Sequence, residues 1–325
     1  MTNWGIIGLG NMAFQFANAI KEVENINLVA VSSNSKSKLN NFYKTFNLEK
    51  ENLFNNYEDI INCKDLDAVY ISTLNNTHLS LIKLLNKSNL NILCEKPLVM
   101  NYNEALEVSK NINLKKKNVY EAIAYRSHPQ TKKIIDMVNH KEIGKIKKIT
   151  SFFGFKVRKV KNKSRLFNKE VGGGVLLDLG CYPVSFVRLF LNKDSDFKIN
   201  NVIGNYCKTG VEDHAELYGS INENVEIELK VSFQENLDNF CKIYGTEGCI
   251  KIPSPWLPQR KTYLEVFKKN SYYKVFTNCE SSIYANQIKI ITEKFRSKSK
   301  EKDYLVNIDE SVEISKILSE WKKLI

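Results

Sequence analysis

The chain has 325 residues, 43% of them hydrophobic and 26% charged, with a formal net charge of +12. This length favours two domains, and the composition is typical of a globular protein. No apolar run approaches the ~18 residues of a membrane-spanning helix, and the first apolar strand begins too early for a signal peptide, so we expect neither a membrane protein nor a secreted one.

The cysteine and histidine patterns indicate the cellular compartment and whether the protein binds a metal. The seven cysteines are scattered, odd in number and free of C-x-x-C spacing. This pattern predicts reduced thiols in a cytoplasmic protein, and it argues against a disulfide framework or a zinc site. The four histidines are too dispersed for a metal cluster, so we expect no bound metal.

The positive charge is spread along the whole chain. Its densest runs, at 115–117 and 298–302, stand where loops are expected. Binding of nucleic acid would need a basic stripe interleaved with aromatic residues, and the sequence has none, so we expect no nucleic-acid partner. The electrostatic field of the net positive charge would instead attract anionic metabolites.

The first predicted elements are a short apolar strand and a helix, joined by the pattern G-x-G-x-x-A. Gly8 permits the tight turn, Gly10 lets the backbone approach a pyrophosphate, and Ala13 lets the helix pack close to the sheet. The amides that open the helix, at Asn11 and Met12, would hold the phosphates. Glycines also serve ordinary turns, but this order of strand, turn and helix favours a dinucleotide site.

The second predicted strand, over 26–32, ends where such folds carry the residue that selects between NAD and NADP. An acid there would bind the ribose hydroxyls and repel a 2′-phosphate. The segment contains hydroxyls, an amide and lysines but no acid. Ser33, Asn34 and Lys38 could therefore receive a phosphate, which favours NADP and leaves NAD open. The alternative is that this segment only caps and solubilises the next helix.

Further short strands alternate with helices through the first 123 residues. Strands are predicted over 66–72, 90–94 and 118–123, and helices over 79–86 and 103–111. Such alternation predicts a doubly wound parallel sheet with right-handed crossovers.

Several stretches of the sequence resemble motifs of one known family, and they occur in the same order as in that family. They are 68–73, 94–98, 125–130, 172–182, 210–213 and 245–248. The chain resembles the Gfo/Idh/MocA family of glucose–fructose oxidoreductase and inositol dehydrogenase, and within it the dihydrodiol dehydrogenase and xylose dehydrogenase branch. The resemblance implies an α/β protein with a Rossmann domain over 1–122 and an α+β domain over 123–325. It also implies a homo-oligomer, a dimer or tetramer.

The second domain is implied to hold a large, open, mostly antiparallel sheet, and the residue pattern agrees. Strands are predicted over 147–157, 202–207, 215–221, 225–233, 239–244 and 249–252, and helices over 174–191 and 309–324.

Hydride transfer requires a nicotinamide ring that is fixed in position and a proton relay to the substrate oxygen. Lys96 stands between a buried strand and Pro97, an unusual place for a solvated charge. The family pattern implies that its ammonium reaches the cofactor ribose and the substrate hydroxyl, that Glu95 contacts the ribose, and that the bond before Pro97 is cis. The alternative is a surface lysine at a strand end.

Asp178 and Tyr182 form a second candidate group. Their i, i+4 spacing places both on one face of the predicted helix. The family pattern implies that the Tyr182 phenol acts with Lys96 on the reacting oxygen, while Asp178 orients a sugar hydroxyl or the lysine. Alternatively, Asp178 satisfies nearby backbone and Tyr182 belongs to the core.

Arginines and a histidine complete the candidates. Arg126 could contact cofactor or substrate, or brace the seam between the domains, and Arg165 could line the substrate pocket; plain ion pairs are the alternative for both. The cofactor contacts implied by the resemblance also include Thr73, Asn75, His78 and Pro97. His78 could equally be a hydrogen-bonded, buried histidine.

Two residues depart from the family pattern. Leu74 replaces a proline near the nicotinamide, and Ala124 replaces the tryptophan that would cover an aromatic substrate. The open pocket favours a polar sugar over a dihydrodiol. The sequence thus predicts an NAD(P)-dependent oxidoreductase acting on a hydroxyl or carbonyl of a sugar-like molecule. The alternatives are a cofactor-retaining glycosidase or lyase and a non-catalytic dinucleotide-sensing regulator.

Overall fold

The computed structural model describes residues 1–112, 118–159, 164–192, 195–296 and 303–325, so both basic runs lie outside the described residues. The chain divides into two compact units. Unit 1 comprises 1–123 and 281–312, and unit 2 comprises 124–280 and 313–325. Within the described ranges, no helix combines the length and apolarity that a bilayer crossing requires.

Unit 1 alternates strands and helices, as the periodicity predicted. Each helix packs an apolar face on the sheet and connects strands that run in the same direction. In chain order its first elements are β1 (Thr2–Ile7), α1 (Asn11–Ile20), β2 (Ile26–Ser32), α2 (Lys36–Phe46), β3 (Leu53–Phe54), β4 (Ala68–Ile71), α3 (His78–Leu85), β5 (Asn91–Cys94), α4 (Tyr102–Asn111) and β6 (Val119–Glu121).

Unit 2 is dominated by one large sheet. Its elements are α5 (Pro129–Asn139), β7 (Ile146–Gly154), α6 (Cys181–Arg188), β8 (Phe197–Tyr206), β9 (Glu212–Ile221), β10 (Val225–Ser232), β11 (Cys241–Gly245), β12 (Gly248–Ile252), β13 (Tyr263–Lys268) and β14 (Ser271–Phe276). The strand order is β14-β13-β12-β11-β7-β10-β9-β8, antiparallel except for the pair β7 and β10. This confirms the open, mostly antiparallel sheet, to which β13 and β14 add strands that the pattern did not predict.

The chain then returns to unit 1. The last elements are α7 (Ile283–Arg296), β15 (Val306–Asn307) and α8 (Ile308–Leu324). The residues of α8 from 313 onward belong to unit 2. Ala285, Ile288 and Ile291 of α7 belong to the same apolar core as Trp4, and the Trp4 indole donates to Thr292 Oγ1 over 3.2 Å. The sequence assigned everything after residue 122 to the second domain, whereas 281–312 pack in unit 1 because α7 covers its core.

The sheet of unit 1 has the order β15-β6-β5-β4-β1-β2-β3, and all neighbours are parallel except β15 with β6. The chain builds one side of the sheet from β1 through β3 and the other side from β4 through β6. The strand order therefore reverses between β1 and β4, and the carboxyl ends of these strands flank the place where such sheets bind ligands. The predicted doubly wound parallel sheet is confirmed.

Candidate active site

The turn after β1 depends on Gly8. Its φ is +88°, and a Cβ at this position would lie 2.5 Å from the Thr73 methyl and 3.0 Å from the Ser72 backbone. Ser72 Oγ donates to the Gly8 carbonyl over 2.7 Å. The missing side chain thus lets the ends of β1 and β4 approach, as the G-x-G-x-x-A pattern predicted for a tight turn.

The first turn of α1 is an open cradle for an anion. Gly10 caps it without any side-chain hydrogen bond, the turn contains no acid, and a Cβ at Gly10 would meet nothing within 4 Å. Asn11 is exposed and Met12 half-buried, whereas Ala13 is fully buried in the core. Uncapped amides at a helix N-terminus attract negative charge, so these residues fit the pyrophosphate of a dinucleotide.

The segment after β2 contains both features that the sequence suggested. Ser35 caps α2 by accepting from the Lys38 amide over 3.5 Å, and the Ser35 amide donates to Ser33 Oγ over 3.2 Å. Ser33 is buried, whereas Asn34 and Lys38 are exposed. Capping therefore uses Ser35 and the Lys38 backbone, and the side chains of Asn34 and Lys38 remain accessible to a ligand.

Lys96 lies in a turn held by buried hydrogen bonds. The Lys96–Pro97 peptide is cis, as the resemblance implied. The next peptide is bound at both ends: its carbonyl, on Pro97, lies 3.0 Å from His78 Nδ1, and its amide, on Leu98, donates to Glu121 Oε1 over 3.0 Å. These contacts fix the backbone immediately after Lys96.

The same contact defines the state of His78. A carbonyl only accepts, so the hydrogen of the imidazole is on Nδ1. The ring is fully buried, and burial lowers its pKa from the ordinary value of 6.5, which keeps it neutral. The structure therefore shows the buried, hydrogen-bonded histidine; the contacts of His78, Thr73 and Asn75 with cofactor stay predictions.

The Glu95 carboxylate is held by a hydrogen bond from Tyr70. The Tyr70 hydroxyl donates to Glu95 Oε1, and its buried ring stacks on Phe16 with centroids 3.9 Å apart. Tyr284 on α7 lies near both Glu95 and Lys96: burial raises the pKa of Tyr284, Glu95 raises it further, and Lys96 opposes them. Sequence reasoning missed Tyr284 because nothing in the pattern placed α7 in this unit.

Glu121 at the end of β6 is a second residue that the sequence pattern did not single out. It is 3% exposed, and it accepts from the Leu98 amide and, over 2.7 Å, from the Ser311 hydroxyl. Burial raises its pKa from 4.5 to about 7, opposed by these hydrogen bonds and by Lys96. The sequence did contain a signal for it, because an acid between apolar residues of a buried strand rarely has a purely structural role.

The segment that carries the second candidate group differs from the predicted helix over 174–191. Residues Leu176–Gly180 form one π-helical turn before α6. Pro183 of α6 has no amide to donate to the Leu179 carbonyl, and its ring displaces that carbonyl, which favours a wider turn at this point. Gly174, just before this turn, has a φ of +117°, and a Cβ there would collide with the buried Glu212 carboxylate.

Arg165 and Asp178 are brought together in unit 2. Arg165 Nη1 donates to Asp178 Oδ1 over 3.0 Å, and the side chains are 58% and 10% exposed. The Asp178 carboxylate is thus nearly buried, with its charge balanced by a guanidinium that reaches solvent. Two predicted substrate residues therefore form one polar group.

Tyr182 stands in an aromatic cluster. Its ring centroid lies 5.2 Å from Phe153, 5.8 Å from Trp256 and 6.3 Å from Tyr125. Trp256 is buried and donates to the Phe152 carbonyl over 3.1 Å. Sequence reasoning missed Trp256; its place among the prolines of a loop was the available signal.

Arg126 braces the helix that carries Tyr182. It is buried, and its Nη1 donates to the Ser185 carbonyl over 2.6 Å. The Tyr125 hydroxyl lies 2.7 Å from Ser185 Oγ, which donates to the Tyr182 carbonyl over 2.8 Å. The predicted contact of Arg126 with cofactor stays a prediction. His128 caps α5 by accepting from the Gln130 amide.

The candidate residues thus fall into two sets. Unit 1 holds Lys96 and the residues predicted for the cofactor other than Arg126, and unit 2 holds Arg126, Arg165, Asp178 and Tyr182. The meeting of Lys96 and Tyr182 at one substrate oxygen stays a prediction. Among the described residues, no group of three or more His, Cys, Asp or Glu side chains is arranged to hold a metal ion.

Known proteins match the chain along most of its length. The Gfo/Idh/MocA oxidoreductase family with an NAD-binding Rossmann fold matches residues 2–123, and the Gfo/Idh/MocA C-terminal domain matches 131–251. The trans-1,2-dihydrobenzene-1,2-diol dehydrogenase of Xenopus tropicalis is 32% identical over 263 residues, 79% of this chain and 77% of that protein. The Mus musculus enzyme of the same name is 26% identical over 332 residues, 99% of this chain and 96% of that protein.

Solved structures share the fold. An aldose-aldose oxidoreductase from Caulobacter crescentus, complexed with glycerol, has a TM-score of 0.89 at 16% identity, covering 99% of this chain and 97% of that one. A 3-ketoreductase from Actinomadura kijaniata, in complex with NADP and TDP-benzene, has a TM-score of 0.87 at 19% identity, with the same coverage. The chain therefore belongs to the Gfo/Idh/MocA family, whose members are oxidoreductases that use NAD or NADP.

Proposed function

We propose that the protein transfers a hydride between a nicotinamide cofactor and a hydroxyl or carbonyl carbon of a sugar or sugar derivative. The observation that carries this proposal is the Arg165–Asp178 pair in the unit that also carries Tyr182. The guanidinium offers donors and the carboxylate offers acceptors to several hydroxyls, and the rings around Tyr182 suit the apolar face of a sugar ring.

Each residue has a distinct task in this proposal. The bound nicotinamide would supply the hydride donor or acceptor. Lys96 and Tyr182 move the proton on or off the substrate oxygen, and Asp178, held by Arg165, orients a neighbouring hydroxyl. The cradle at Gly10 holds the pyrophosphate, and Glu95 contacts the ribose.

The substrate class rests on polarity. Ala124, where the dihydrodiol dehydrogenase branch has tryptophan, is small and buried, so this position offers no ring to cover an aromatic substrate. The names of the similar structures, an aldose-aldose oxidoreductase and a 3-ketoreductase, agree with a sugar-like substrate. We therefore favour a polyhydroxylated substrate over a dihydrodiol.

The cofactor preference follows from the segment after β2. Asn34 and Lys38 are exposed and no acid stands in the first turn of α2. A 2′-phosphate would meet an ammonium and an amide there rather than a carboxylate. We therefore infer that the protein uses NADP in preference to NAD.

The protein is also proposed to act in the cytoplasm as a dimer or tetramer. All seven cysteines are free thiols, in keeping with a reducing compartment. One face of β13 and β14 exposes large apolar rings: Phe267, Tyr272 and Phe276 are 37%, 53% and 68% exposed. An exposed apolar patch of this kind suits a contact with a second copy, which light scattering on the purified protein would detect.

A substrate screen tests the proposal. Aldoses, inositols and nucleotide sugars are incubated with the protein and either NADP or NAD, and the formation of reduced cofactor is followed by absorbance. The proposal expects net reduction with a polyol or sugar, and faster reduction with NADP. A cofactor-retaining glycosidase would consume glycoside without any build-up of reduced cofactor, and a dinucleotide sensor would bind cofactor without turnover.

A further inference from the structure

The peptide group between Pro97 and Leu98, next to Lys96, is hydrogen-bonded to two buried side chains. Its carbonyl accepts from the neutral His78 imidazole, and its amide donates to the Glu121 carboxyl. His78 comes from the start of α3 and Glu121 from the end of β6, so two separate elements hold the turn. The proposed proton relay uses neither carboxyl oxygen of Glu121.

Resting on the proposed role of Lys96, we propose that Glu121 is a positioning residue: its buried carboxylate fixes the turn that carries Lys96 and acts as a counter-charge to the Lys96 ammonium. Both groups belong to unit 1, and they are close enough to interact electrostatically. A negative charge near an ammonium favours its protonated form.

Charge, rather than shape, is what distinguishes this residue from a structural hydrogen-bond acceptor. Burying a carboxylate costs more free energy than burying an amide that accepts the same bond. A glutamine could accept from the Leu98 amide and contact Ser311 without that cost. The presence of an acid in this buried position therefore points to a task for its charge.

Polar and titratable groups of three neighbouring segments act on this carboxyl. Cys94 lies on β5, Lys96 in the following turn, and Glu310 and Ser311 at the start of α8. Burial is the main cause that raises the pKa of Glu121 to about 7; Glu310 adds to it, and Ser311, Leu98 and Lys96 oppose it. Near neutral pH the carboxyl thus gains and loses its charge, while the Leu98 amide retains an acceptor in either state.

The test is an NMR titration of Lys96 in the full-length protein labelled with ¹³C at lysine Cε. The Lys96 signal is assigned as the one missing from Lys96→Met. In Glu121→Gln, which keeps size and an acceptor oxygen, the midpoint of the Lys96 titration is expected to fall by about one pH unit. In wild type the same signal is expected to show a small inflection near the pKa of Glu121, about 7, and this inflection disappears in the variant.

Glu310→Gln is the matched control, since it also removes one carboxylate near Glu121 but leaves the Leu98 contact and the Glu121 charge in place. It is expected to leave the Lys96 midpoint at its wild-type value. A wild-type midpoint in Glu121→Gln, or an equal fall in both variants, would overturn the proposal. If Glu121→Gln does not fold, absence of the inflection in wild type overturns it instead.

This result separates the proposal from the function on which it rests. The titration needs no substrate. A fully active Lys96→Met would refute the proposed relay, whatever the titration shows. An inactive Lys96→Met together with an unshifted midpoint in Glu121→Gln would leave the relay standing and refute the role of Glu121. With a substrate in hand, the limb of the kcat pH profile that reports Lys96 moves to lower pH in Glu121→Gln by the same amount.

Discussion

His78 and Glu121 bind opposite ends of a single peptide group, the one between Pro97 and Leu98. The imidazole is neutral and donates to the carbonyl, and the carboxyl accepts from the amide, so each end meets a group of complementary polarity. Because both side chains are buried, water does not compete for these bonds. The backbone next to Lys96 is therefore held from two sides, as a reactive ammonium requires.

The buried Glu121 carboxyl makes stability depend on pH. Its pKa is raised in the folded protein, from 4.5 to about 7, so the folded state holds its proton where the unfolded state has lost it. The stability that this group contributes is present below the unfolded value and is lost as the pH rises through about 7. Glu121→Gln removes this loss.

We expect the free energy of unfolding of Glu121→Gln, relative to wild type, to rise by about 3 kcal/mol between about pH 4 and about pH 8. Urea unfolding at the two pH values measures it, and Glu310→Gln provides the comparison for loss of a less buried acid. An identical difference between variant and wild type at both pH values would contradict the raised pKa.

Alanine substitutions at the two glycines of the dinucleotide turn are predicted to affect different properties, stability at Gly8 and cofactor binding at Gly10. Gly8→Ala places a methyl against Thr73 at a φ of +88°, so it is expected to lower the free energy of unfolding by about 2 kcal/mol or more. Gly10→Ala has open space around its Cβ and is expected to fold normally, but its methyl occupies the cradle and weakens cofactor binding.

Thermal unfolding and a fluorescence titration with reduced cofactor separate these effects. A Gly10→Ala protein that binds cofactor as tightly as wild type would show that the pyrophosphate does not lie at this helix end.

The Arg165–Asp178 pair is predicted to act as one unit on the substrate. Arg165→Met and Asp178→Asn are each expected to raise KM about tenfold or more, because each leaves the other group without its charged partner. The double variant is expected to lose little more than either single one, since the same interaction is removed. Additive losses in a double-mutant cycle would show that the two side chains bind substrate independently.

Cofactor preference is predicted to depend on Lys38. Lys38→Glu places an acid near the proposed 2′-phosphate, and kcat/KM for NADP is expected to fall about tenfold, with a change under about twofold for NAD. Lys44→Glu makes the same charge change in the last turn of α2 and serves as the control. Equal losses with both cofactors in Lys38→Glu, or equal effects of the two variants, would exclude a phosphate contact at this lysine.

The local patterns predicted most of the architecture because periodicity and turn chemistry act over short distances. The G-x-G-x-x-A turn and the parallel strands both depend on neighbouring residues. The return of 281–312 to unit 1 depends instead on which core α7 covers, which no local pattern encodes. Tyr284 was missed for the same reason.

Other differences have local causes that were present in the sequence. Pro183 lacks the amide that a regular helix would use, and the π-helical turn precedes it. Glu121 interrupts an apolar strand, and Trp256 stands in a proline-containing loop. Their partners, Leu98 and Tyr182, lie far from them in the chain, so the roles of these residues became visible only in the folded structure.

The most direct test of the account is turnover by Lys96→Met with a substrate found in the screen. Lys83→Met, at an exposed lysine of α3 that pairs with Glu107, is the control and is expected to behave as wild type. If Lys96 relays the proton, kcat of Lys96→Met falls by about 10²–10⁴, while the dissociation constant of the cofactor stays within about threefold, under 1 kcal/mol. A Lys96→Met protein with wild-type kcat would contradict the account.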